Sequence, residues 1–199
     1  AAENILILGG NALDAAIAAQ NVLSVIEPQS SGLGGGGFLL FYDNIKKNIQ
    51  AWDGREKAPL SAKANMFILN NNNKMNFMNA VNNKSSIGIP GLYSMLADAH
   101  AVNGKMEWHK LFKEAIDYSE GFKISPRLNK LLKWAPHLKN NDFAQATYFY
   151  NAEPKQIGTI IKNLELKESL KSLSKNPYSI NRGTISKKIS KKLNGYISI

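Results

Sequence analysis

Cysteine is missing from all 199 residues. Its absence removes disulfides, thiolate metal sites and cysteine nucleophiles, and leaves the redox compartment open. Histidine is nearly absent: His100, His109 and His137 stand alone, with separations that match no metal-ligand spacing. No metal and no cofactor is therefore expected, and His100 reads as a packing or surface residue. No apolar run approaches the ~18 residues of a membrane span. A serine nucleophile would need a base and an orienting acid, and no G-x-S-x-G elbow is present. The opening residues, Ala1-Ala2-Glu3-Asn4-Ile5-Leu6, carry no initiator Met and no basic leader. They read as the interior of a helix. Arginine is also scarce, limited to Arg55, Arg127 and Arg182 in a chain whose 25 basic residues are otherwise all lysine.

What is present can fold. A hydrophobic content of 44% over this length supports a sizeable core, and the expectation is a single body over 1–199 with no separate second domain. The net charge of +10 comes almost wholly from lysine, much of it after Lys105, and Lys187-Lys188 and Lys191-Lys192 give a basic ending. Such a bias can serve nucleic acid or an anionic membrane. Here it lacks the arginines and clustered aromatics that stack on single strands. It is read as a solvated lysine face, with no nucleic-acid partner and no membrane span.

Along the chain, Asn11 and Asp14 form a capping-box pattern ahead of an alanine-crowded helix over 12–26, which stops before Pro28. So small a helix face suits close packing against a sheet. Residues 38–42 and 49–53 read as a hairpin. The Asn- and Lys-rich stretch 70–84 reads as an exposed, mobile loop. Pro90-Gly91 introduces a helix over 92–103 that Gly104 closes. Helical spacing follows over 107–120, then from Pro126 to Trp134, 162–174 and 184–193. The carboxylates of Glu114 and Asp117 read as solvated. Residues 194–199 resemble the start of a strand or turn.

The densest signal is Gly32-Leu33-Gly34-Gly35-Gly36-Gly37-Phe38, with Asp53-Gly54-Arg55-Glu56-Lys57-Ala58-Pro59 one hairpin further on. Consecutive glycines ahead of an apolar strand imply a sharp turn or a very close approach. Gly32, Gly34 and Gly37 satisfy G-x-G-x-x-G, but a dinucleotide fingerprint needs a strand before it and a helix after it. Here the order is reversed, and no G-K-[ST] follows. Arg55, at a strand-to-loop junction, offers a planar fork suited to a carboxylate. Asp53 and Glu56 could equally make it a scaffold ion pair, and local chemistry does not choose between the two.

The order of the motifs is more specific than any one of them. Gly9-Gly10-Asn11-Ala12-Leu13-Asp14-Ala15-Ala16, then Ser31-Gly32-Leu33-Gly34-Gly35-Gly36-Gly37-Phe38, then Asp53 to Pro59, resembles the start of a γ-glutamyltransferase (γ-glutamyltranspeptidase) large subunit. Ile89-Pro90-Gly91, Trp108…Leu111…Ala115-Ile116…Gly121-Phe122, Asn176-Pro177-Tyr178…Gly183-Thr184-Ile185 and Asn194-Gly195 extend the resemblance over nearly the whole chain.

The resemblance implies an α+β fold, a partial αββα sandwich of the N-terminal-nucleophile hydrolase type. It further implies a precursor that cleaves itself, and a new N-terminal Thr that attacks the γ-glutamyl amide carbonyl with its own α-amine as base. Glutathione is the usual donor, and water, an amino acid or a peptide takes the acyl group. Arg55 matches the family arginine that grips the α-carboxylate of the γ-glutamyl group, and it is the one substrate-binding residue carried over. No catalytic residue is. The T-T-H-[FY]-S-type cleavage motif is absent, and Thr147, Thr159 and Thr184 stand in other contexts. The expectation is an incomplete large-subunit portion, inactive alone, whose partners are γ-glutamyl substrates, the small subunit and the remainder of the large subunit. A periplasmic or secreted location is implied in the same way. The rival readings are an inert gene remnant or a repurposed binding module.

Overall fold

The computed structural model describes residues 1–70, 72–135, 137–138 and 141–197. In chain order the elements are α1 (Ala2–Ile7), α2 (Ala12–Ile26), β1 (Phe38–Asp43), β2 (Asn48–Asp53), α3 (Phe77–Val81) and α4 (Leu92–Asn103). A 3₁₀ turn (Trp108–Phe112) leads into α5 (Lys113–Ser119), β3 (Phe122–Lys123), α6 (Pro126–Lys133), α7 (Asp142–Tyr148), β4 (Phe149–Tyr150), β5 (Glu153–Pro154), β6 (Ile160–Ile161), α8 (Leu164–Lys175) and α9 (Thr184–Lys192). The strands pair antiparallel as β1–β2, β3–β6 and β4–β5.

These elements gather into two compact units, one from residues 1–33 and 98–176, the other from 34–97 and 177–199. In the first, α2 begins where its capping box predicts. The Asn11 side chain accepts the Asp14 N–H, and the Asp14 carboxylate accepts the Asn11 N–H at 2.9 Å. Within this unit, α2 packs on α1, α5 and the 3₁₀ turn. Small side chains let helix backbones approach one another as readily as they admit a sheet. Leu13, Ile17, Val25, Leu111, Phe112, Leu128, Leu170 and Leu173 form this unit's buried interior. The helical spacing over 107–120 resolves into the 3₁₀ turn and α5 rather than one continuous helix. Ser125 caps α6 with Pro126 at the first helical position, and Asn163 caps α8.

In the second unit, β1 and β2 pair in register from Phe38↔Asp53 to Asp43↔Asn48. Asp43 Oδ1 accepts the Ile45 and Lys46 N–H groups and closes the turn. The stretch expected as a plain loop over 70–84 holds α3 and leads into a 3₁₀ turn at Lys84–Ser86. Asn76 and Asn83 cap these elements, since asparagine favours helix starts as readily as loops. Tyr93, Met95, Ile180 and Ile197 are buried. The Asn181 side chain donates to the Pro90 carbonyl at 2.6 Å, and the Tyr196 hydroxyl donates to the Ser85 carbonyl at 2.9 Å. These bonds tie residues 177–197 to the segment just before α4. Turns occupy 193–195, within the stretch 194–199 where the start of a strand or turn was expected, and residues 198 and 199 lie outside the described residues.

Candidate functional site

The helix–glycines–strand order that argues against a dinucleotide site holds in the structure: α2 precedes the glycine run and β1 follows it. The run extends the hairpin backwards. Gly37 and Gly54 exchange both backbone hydrogen bonds, at 2.9 and 3.2 Å, and continue the ladder one pair beyond Phe38↔Asp53. Arg55 therefore leaves the hairpin directly from a bonded pair, at the strand-to-loop junction that the sequence predicts.

Two more segments close around it. The Gly35 carbonyl accepts the Gly91 and Leu92 N–H groups at 3.3 and 3.2 Å, so the run meets the first turn of α4. Lys57 and Ile89 exchange both backbone bonds, at 3.2 and 2.8 Å, and hold the chain just past Glu56. A Cβ on Gly36 would stand 2.6 Å from both the Gly54 carbonyl oxygen and Glu56 Oε2. A Cβ on Gly91 would stand 2.3 Å from the Gly54 carbonyl oxygen and 2.7 Å from that of Arg55. Only glycine fits at these two positions. The rest of the run is less constrained: Gly34 has open space at its Cβ position, and Gly37 would meet only Leu92 Cδ1, at 3.4 Å.

The two carboxylates flanking Arg55 take different roles. Asp53 Oδ1 accepts the Arg55 backbone N–H at 2.8 Å and so shapes the turn. Glu56 Oε2 lies 3.4 Å from Arg55 Nε, and the arginine side chain remains 71% exposed. Among the described residues, Glu56 is the only carboxylate set against this guanidinium. An exposed pair of this kind contributes little to stability, while the planar fork retains donors for a second carboxylate. The sequence reading found Arg55 but took Gly91 only as a helix introducer and did not separate Asp53 from Glu56. A proline–glycine pair ahead of a helix gives no sign of the strand end packed against it.

His100 packs, one of the two roles expected of it. Its ring meets Trp108 edge-on at 5.2 Å, and its Nε2 stands 3.2 Å from Oδ1 of the fully buried Asp14, off the line of a hydrogen bond. Glu114 departs from expectation, since it accepts a hydrogen bond from Asn4. No group of three potential metal ligands occurs among the described residues, and no helix among them is long and apolar enough to cross a membrane.

Comparison with known proteins places this geometry. The family model described as Gamma-glutamyltranspeptidase matches residues 1–199. The glutathione hydrolase proenzyme of Bacillus subtilis (strain 168) is 32% identical over 189 residues, covering 94% of this chain and 32% of its own length. Glutathione hydrolase 3 of Arabidopsis thaliana is 33% identical over 192 residues, covering 94% and 29%. The chain thus spans about a third of the length of these curated relatives. Among solved structures, Helicobacter pylori γ-glutamyltranspeptidase superposes with a TM-score of 0.88 at 27% identity, over 96% of this chain and 55% of that one. The Pseudomonas nitroreducens γ-glutamyltranspeptidase complexed with L-DON gives 0.85 at 29% identity, over 99% and 58%. The fold is α+β, of the N-terminal-nucleophile hydrolase type. With the family model matched from end to end and similarity of sequence and structure agreeing, the chain belongs to the γ-glutamyltranspeptidase family.

Proposed function

We propose that this chain is a large-subunit portion of an enzyme that cleaves the γ-glutamyl amide bond of glutathione and related compounds, and that Arg55 grips the α-carboxylate of the glutamyl group. The observation that carries the reading is the placement of Arg55. It leaves a hydrogen-bonded strand pair, its guanidinium is largely exposed, and the one carboxylate set against it among the described residues, Glu56, approaches through Nε. A guanidinium presented in this way can meet both oxygens of a carboxylate with parallel N–H donors.

The reaction is acyl transfer. A threonine hydroxyl attacks the γ-carbonyl, the amine leaves, and the resulting ester passes its acyl group to water or to the amine of an amino acid or peptide. Oxyanion donors stabilise the intermediate. Arg55 acts before and throughout these steps by fixing the glutamyl end, so that the carbonyl is presented to the nucleophile. The nucleophile is assigned to the small subunit, as the family resemblance implies; the three threonines here, Thr147, Thr159 and Thr184, are given no catalytic role. The partners are accordingly the small subunit and the rest of the large subunit, in a periplasmic or secreted enzyme.

Release of a chromophore from a γ-glutamyl anilide tests this reading. The purified chain should give no turnover alone, and the complete processed enzyme containing it should be active. Replacing Arg55 by Lys in that enzyme keeps the charge and loses the fork, so KM for γ-glutamyl donors should rise about tenfold or more while kcat changes less. An unchanged KM would remove Arg55 from the role. A complete protein without turnover would favour a repurposed binding module.

A further inference from the structure

Gly36 and Gly91 both pack against the backbone of a three-residue segment whose centre is Arg55. We propose that both are positioning residues for substrate binding: by carrying no side chain they let the entry of β1 and the first turn of α4 clamp the Gly54–Arg55–Glu56 backbone, which fixes where the Arg55 guanidinium stands. The proposal rests on the reading of Arg55 as the carboxylate grip.

The geometry separates this role from ordinary glycine tolerance. A Cβ at Gly36 collides with backbone at two points, the Gly54 carbonyl oxygen at 2.6 Å and the Glu56 N at 2.8 Å, and with Glu56 Oε2 at 2.6 Å. A Cβ at Gly91 collides with the carbonyl oxygens of Gly54 and Arg55. Backbone atoms cannot rotate away as a flexible side chain can, so either substitution must move the peptide units on both sides of Arg55. The same displacement would shift the Glu56 carboxylate that faces Arg55 Nε at 3.4 Å. Long side chains lose rotamer freedom on binding, and a guanidinium held at its root and at Nε has less left to lose. A bidentate contact is also sensitive to angle, so a small shift at the root costs binding before it costs chemistry.

Neighbouring glycines provide the controls. Gly34 has nothing within 4 Å of its Cβ position, and Gly37 meets only a leucine methyl at 3.4 Å. Gly88 approaches the same segment more mildly, with its Cβ position 2.9 Å from Glu56 Cβ.

The test compares Gly36→Ala, Gly88→Ala and Gly34→Ala in the complete processed enzyme, with KM and kcat for a γ-glutamyl anilide and the thermal midpoint measured for each. Gly36→Ala should raise KM about tenfold or more with kcat within about threefold, Gly88→Ala should raise KM by less, and Gly34→Ala should leave both unchanged. A merely structural role would lower the thermal midpoint without this selective rise in KM. Gly91→Ala is assayed in the same way and should raise KM as Gly36→Ala does; if neither of the two folds, the KM of Gly88→Ala decides, and no change there overturns the proposal. Arg55→Lys is assayed alongside. If it raises KM and the glycine variants do not, the positioning role fails and the grip survives. If it leaves KM unchanged, the grip itself fails.

Discussion

Asp14 is fully buried, and its carboxylate collects N–H groups from Asn11 at 2.9 Å, Met106 at 3.1 Å and Lys105 at 3.2 Å, with His100 Nε2 alongside. Removing it leaves three partly buried backbone N–H groups without this acceptor. Asp14→Ala should therefore cost about 2 kcal/mol of stability, read from urea denaturation followed by tryptophan fluorescence, and Asp14→Asn should cost less because it keeps an acceptor oxygen. Only part of this cluster is legible in the sequence. The Asn11–Asp14 box can be read because its members lie three positions apart, at the spacing a helix start requires. Lys105 and Met106 lie some ninety residues further on and contribute backbone, which has no letter in the sequence. Arg55 follows the same rule. Its rarity and its place at a strand end are legible, whereas the division between Asp53 on the backbone and Glu56 on the guanidinium depends on torsions that two similar carboxylates do not announce.

Helices and the hairpin were read closely from periodicity and caps: β1, β2, α2, α4, α8 and α9 lie within two residues of the sequence expectation. What periodicity could not supply was the partner of each face, as the helix contacts of α2 show. The join of α1 to α5 is another such case. Asn4 donates to Glu114 Oε1 at 2.8 Å. The hydrogen bond from Asn4, with the charge of Lys113 adding to it, holds the Glu114 carboxyl below the usual glutamate range despite partial burial. A carboxyl depressed on folding stabilises the native state above its unfolded value of about 4.3, and that contribution fades as pH falls through the lower folded value. The thermal midpoint of Glu114→Gln should therefore lie below that of the parent at neutral pH, and the gap should close in acid. A gap that does not vary with pH would remove ionisation of Glu114 from the join.

At the scale of the whole molecule, one face of the β1–β2 hairpin carries Phe38, Leu40, Tyr42 and Ile49, all exposed, with Leu40 at 75%. A contiguous apolar face on a two-stranded ribbon favours association. The 199-residue chain should self-associate with rising concentration in analytical ultracentrifugation, and Leu40→Lys should shift it toward monomer. The sequence shows the alternation of this hairpin but not which face lacks cover, because cover is a property of the assembled chain. Both compact units are also discontinuous, each closed by a segment synthesised long after its first one. A ribosome releases Arg55 and its hairpin early, yet Asn181 and Tyr196, which fasten the residues before α4, emerge more than a hundred residues later. Contacts of such separation form slowly because a long loop must close first. During translation the arginine thus waits on an unfinished scaffold, and a chaperone holding the nascent hairpin would be guarding the residue proposed to grip the substrate.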